Sequence, residues 1–126
     1  MFEKIVYEDR QITSITVTWN AGFSELMSVL KTFFDDNNTR HLLLDLRGTS
    51  LDTISHDHIR DLCQYAKCRA NGHGRVNGKT ALVGLSDIQY EIARIFKTYS
   101  EMVNSAIKIS VFRTIEKAMS WLEEDG

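Results

Sequence analysis

Residues 79–124 read KTALVGLSDIQYEIARIFKTYSEMVNSAIKISVFRTIEKAMSWLEE, and this stretch alternates extended and helical patterning with hardly an ambiguous position. KTALVGL is a continuous apolar run flanked by turn chemistry. SDIQYEIARIFKTYSEMV then sets Ile88, Ile92, Ile95, Phe96, Tyr99 and Val103 at helical spacing. IKISVF alternates Ile107, Ile109 and Val111 with Lys108, Ser110 and Phe112, the half-exposed pattern of a strand at a sheet border. TIEKAMSWLEE closes the stretch with Ile115, Ala118, Met119 and Leu122 on one side of a second amphipathic helix. Strand, helix, strand, helix in that order predicts an α/β fold, because right-handed crossovers lay successive strands parallel with helices against the sheet.

Working back toward the N-terminus, HLLLDLR is apolar at almost every position through Leu46, as a central strand covered on both faces would be. A helix follows from near Ser55, turning Ile59, Leu62, Cys63 and Ala66 inward and stopping in the glycine-rich RANGHGRVNG. An earlier helix is announced by Phe23, Leu26, Met27, Leu30, Phe33 and Phe34, and ends near DDNN. FEKIVY and ITSITVTW, separated by Glu8, Asp9 and Arg10, predict an antiparallel hairpin. In its second strand Ile15, Val17 and Trp19 alternate with Ser14, Thr16 and Thr18, so one face meets a core and the other is polar. The sum is one domain over residues 1–126. It has a single mixed, mostly parallel sheet, an N-terminal β-hairpin followed by βαβαβα units, and four helices. Ligands of such sheets gather outside the carboxyl ends of the parallel strands, here residues 47–55, 84–87 and 112–114.

Composition narrows the function. A chain of 126 residues with 43% hydrophobic and 25% charged residues is sized for one soluble core. No apolar stretch approaches the roughly 20 residues of a membrane span. Met1 runs straight into FEKIVYED, which lacks the basic and long apolar regions of a secretory leader, so a cytoplasmic location is expected. Cys63 and Cys68 lie five apart in a helix and point to different faces, which predicts two free thiols. A net charge of -2, with basic residues clustered only at Lys67, Arg69, Arg75 and Lys79, argues against a nucleic-acid partner.

The chemical motifs each fall short of a site. Gly78, Lys79 and Thr80 end like a phosphate loop, but the glycine needed five positions earlier is His73, and the triplet starts a strand instead of a helix. Gly84-Leu85-Ser86-Asp87-Ile88 is half of a nucleophile elbow without its second glycine, and Ser86 with Gln89 also reads as a capping box. A serine hydrolase would need His41, His56, His58 or His73 to converge on Ser86. His56 and His58 diverge by about 200 degrees on a regular helix and do not share an ion from one. These readings predict no catalytic residue, no metal and no cofactor.

The element order resembles the STAS domain, named for sulphate transporters and anti-sigma factor antagonists. It resembles in particular the uncharacterised bacterial STAS-like proteins, also described as similar to CRAL-TRIO lipid-transfer domains. The carrying residues are KTALVGLSD, ARIFKTY and IKISVFRTIEKAMSWL, with LLLDLRG at residues 42–48. In anti-sigma factor antagonists a serine in the loop after the LDL-type strand is phosphorylated by a partner kinase. The matching position is Ser55, although Thr53 and Ile54 replace the family's Asp and Ser, and His56 its Gly. The resemblance implies a non-enzymatic regulatory module that meets a protein partner on a rim of Arg47, Thr49, Ser50, Ser86 and Arg113, with Ser55 as the phosphorylation candidate. Its CRAL-TRIO side implies an alternative, a carrier or sensor of a lipid or other small amphipathic molecule held between helices and sheet. The alternating edge strand and polar sheet face leave room for a homodimer.

Overall fold

β1 (Phe2–Tyr7) and β2 (Ile12–Thr18) run antiparallel, Phe2 opposite Val17 and Tyr7 opposite Ile12. They are joined by one 3-10 turn at Glu8–Arg10 that closes with Gln11 in the left-handed region, at φ 58. α1 (Phe23–Asp35), β3 (His41–Gly48), α2 (His56–Gly72), β4 (Lys79–Val83), α3 (Asp87–Met102), β5 (Lys108–Phe112) and α4 (Ile115–Leu122) follow. This computed structural model describes residues 2–18, 21–35, 39–72, 78–103 and 107–124; Trp19, His73 and Arg75 of the sequence analysis lie outside them.

The sheet order is β1-β2-β3-β4-β5, with every pairing after the hairpin parallel. When strand order equals chain order and crossovers are right-handed, all the crossover helices fall on one face. α1, α2 and α3 accordingly cover a face built from Ile15, Val17, Leu42, Leu44, Leu46 and Leu82. The opposite face of the central strands presents Leu43, Ala81 and Val83, and α4 turns back across it with Ala118 and Leu122. This explains why β3 and β4 read as unbroken apolar runs. Each of their buried leucines contributes about 2 kcal/mol of burial. α4 lies over β3, β4 and β5 and leaves much of β1 and β2 uncovered, so Ser14 and Thr16 stay half-exposed and Ile5, opposite Ser14 on β1, is exposed.

One helix face differs from the sequence pattern. Ile88 heads the predicted stripe of α3, yet it is 61% exposed. The row buried against the sheet is instead Gln89, Ala93 and Ser100, with Phe96 between them and half-buried. Spacing of four, three and four residues makes that row continuous on a helix. Its small members let α3 approach the strands closely, while Ile92, Ile95 and Tyr99 sit half-buried to one side.

Candidate functional site

At the carboxyl ends of β3 and β4 the chain turns sharply, and Gln89 organises the result. Its side-chain Oε1 accepts from the backbone N–H groups of Leu85 at 2.9 Å and Ser86 at 3.1 Å. Its Nε2 donates to the carbonyls of Arg47 at 3.0 Å and Thr49 at 2.6 Å. One amide thereby uses both donors and both acceptor sites to tie the loop after β3 to the turn after β4. Ser86 completes the capping box by accepting from the Gln89 N–H. Gly84 is required by close approach: a Cβ there would lie 2.9 Å from the Gln89 carbonyl carbon and 3.0 Å from the Tyr90 nitrogen.

Arg113, just after β5, brings in the third loop. Its guanidinium donates to the Leu85 carbonyl and the Asp87 carboxylate and lies 4.4 Å from the centre of the Tyr90 ring. Arg47 folds back onto Asp45, donating through Nε and Nη2 to the two carboxylate oxygens. Asp45 is buried, and this pairing pushes the Arg47 pKa above its ordinary value. Thr49 is also buried, and its hydroxyl accepts from Ala21 N–H. Ser50 donates to Asp52. Between them Leu51 is buried at φ 59, a left-handed conformation that costs a branched residue about 1–3 kcal/mol.

The structure thus brings Arg47, Thr49, Ser86 and Arg113 together through Gln89 and Leu85. Ser55 stands apart at the head of α2. Its hydroxyl accepts from His58 N–H, and His58 Nδ1 accepts in return from Ser55 N–H, a capping box closed by a histidine. The His58 ring stacks on Phe23 with centroids 4.9 Å apart.

The described histidines named as candidate bases for Ser86 make other contacts, His58 with Ser55 and Phe23 as above. His41 lies at the amino end of β3, opposite to Ser86 along the sheet, and its Nδ1 accepts from Lys79 N–H. His56 meets Tyr99 edge-on. Among the described residues no group of three His, Cys, Asp or Glu side chains is placed to hold a metal ion, and no helix is long and apolar enough to cross a membrane. Lys79, the lysine of the phosphate-loop-like triplet, is buried and donates its ammonium to the Trp121 and Glu124 carbonyls at the end of α4.

A second feature lies inside. An apolar pocket of about 60 Å³ lies between α1, α2, α3 and the sheet, with Leu30, Leu62, Ala66, Phe96 and Ile109 in its lining. Cys63 Sγ also faces it and donates to the Phe96 carbonyl; burial pushes this thiol up to about 12.

Gln89 and the pocket both escape a reading by motif. The capping box reveals only half of what Gln89 bonds, and no local pattern reports a gap between three helices. Compared with known proteins, the chain matches no protein-family model and no curated protein.

Proposed function

We propose that the rim is a docking surface for a protein partner, and that the chain is a non-enzymatic regulatory module of the STAS-like type. The observation that carries this reading is Leu85 and Ile88, each 61% exposed at the corner between β4 and α3. Two large apolar side chains held in water beside Ser86, Asp87 and Arg113 have the composition of an interface centre with a polar margin. The corner is already tied down by Gln89, Gly84 and Arg113, so a partner would spend little entropy ordering it. Ser55, exposed at the head of α2, is the residue a kinase would address in such a module, where the helix amides favour a phosphate.

The test compares the full chain with Leu85→Asp/Ile88→Asp and with Val6→Asp on the far sheet edge. All three are used as bait in extract from the source cell, and the same extract with ATP is followed by mass spectrometry at Ser55. A stoichiometric partner kept by wild type and Val6→Asp but lost from the double variant supports docking at the rim. A partner indifferent to the double variant, or none at all, rejects it.

A further inference from the structure

β1 forms one border of the sheet: among the described residues it pairs with β2 and with no other strand. A border strand presents a row of backbone donors and acceptors to any second chain, and natural proteins guard it with proline, a bulge, lysine or a covering helix. Of these β1 carries only Lys4. It is six residues long, its ladder with β2 runs from Phe2 to Tyr7 without a register shift, and the chain contains no proline. Glu3, Lys4, Ile5 and Val6 are all exposed, Ile5 at 54%. The other border, β5, is flanked by α3 and α4 and is mostly half-buried.

We propose that β1 pairs antiparallel with β1 of a second copy of this chain, joining the two sheets into one. A two-fold axis perpendicular to the sheet keeps the α4 side of both copies on the same face, so the axis must pass through a residue paired with its own counterpart. Centring on Glu3 or Lys4 sets like charges against each other, which is unfavourable. Centring on Phe2, Val6 or Tyr7 leaves at most three residues of each strand paired. Centring on Ile5 pairs residues 3 to 7: the two Ile5 side chains meet, Lys4 lies beside Val6 of the second copy, and Glu3 faces its Tyr7.

Charge complementarity favours this register. The Arg10 guanidinium lies 5.5 Å from the centre of the Tyr7 ring and also meets Glu123, just after α4. Directly opposite side chains stand about 5 Å apart at Cβ, so Glu3 of one copy comes up beside the Arg10 that the other holds over Tyr7. Symmetry makes this pair twice, on either side of an apolar centre. The border lies across the sheet from Leu85 and Ile88, so the inference stands apart from the docking corner.

The full chain is followed by sedimentation equilibrium from about 1 to 200 µM, where it should pass from monomer to dimer. Ile5→Lys sets two ammonium groups at the axis and should weaken association by at least about tenfold. Glu3→Arg and Arg10→Glu should each weaken it by at least about threefold, and Glu3→Arg/Arg10→Glu together should regain the wild-type association. All three positions are exposed, so melting temperatures should stay near wild type, and the charge reversals test the interface even if Ile5→Lys fails to fold. Leu85→Asp should dimerise as wild type does. A chain that stays monomeric through the range, a dimer indifferent to Ile5→Lys, or a double reversal no tighter than either single one would each overturn the proposal.

Discussion

Replacing Gln89 with methionine keeps the length and most of the volume of the side chain but removes all four of its hydrogen bonds. Each is worth about 0.5–1.5 kcal/mol net, and the orphaned backbone groups are partly buried. Water can reach some of them at the rim, so the expected loss is about 2–4 kcal/mol, below the sum of full desolvation penalties. Unfolding entropy of about 2.1 cal/mol/K per residue over 126 residues converts each kcal/mol into about 4 °C, and Gln89→Met should melt about 8–16 °C below wild type. Circular dichroism melts and urea titrations measure this directly. Gln89→Glu adds a sign. Its carboxylate would face the Arg47 and Thr49 carbonyls, so its folded pKa is raised. The stability it retains is present in acid, where the protonated group donates one bond, and is lost as pH rises through that pKa. A Gln89→Met variant melting within about 3 °C of wild type, less than 1 kcal/mol, would refute the claim that this amide ties the loops.

Lys79→Met should cost about 2–4 kcal/mol, because two charge-assisted bonds to the end of α4 disappear, with Trp121 fluorescence reporting the detachment. Thiol labelling should modify Cys68 promptly and Cys63 only on unfolding, since one is exposed and the other buried. Because the Cys63 pKa is raised to about 12 from 9.0, its contribution is complete below about pH 9 and falls by up to ~1.4 kcal/mol per pH unit above it. Cys63→Ala should therefore show a shallower alkaline loss in urea titrations between pH 9 and 10. Gln11→Gly should raise stability by about 0.5–1 kcal/mol by relieving its left-handed backbone, read from the urea midpoint.

Most of the architecture was legible because apolar period reports which faces are covered. The runs through Leu42–Leu46 and Ala81–Val83 pointed to strands buried twice over, and α4 across the second face supplies the reason. Alternation in β2 likewise marked the half-exposed Ser14 and Thr16. Ile88 was misplaced because an apolar residue at helical spacing looks the same whether its helix leans on the sheet along that row or the next. Gln89 was half legible: its bonds to residues 85 and 86 are local, whereas its reach to Arg47 and Thr49 depends on two chain segments about forty residues apart meeting at one rim. Lys79 read as part of a basic loop, since nothing local announces that a lysine will turn inward to cap a distant helix. The pocket was illegible for a different reason, because Leu, Phe and Ile fill a core in the same alphabet in which they leave it short.

The sole cover that the described residues give the far side of β3 and β4 is α4, and it follows every strand in chain order. During vectorial synthesis the hairpin and crossover helices can assemble while Leu43, Ala81 and Val83 still face water. The nascent sheet therefore passes through a sticky, one-sided stage that ends only when residues 115–122 emerge. Chaperone engagement at that stage, and aggregation of forms shortened before Ile115, are the natural corollaries.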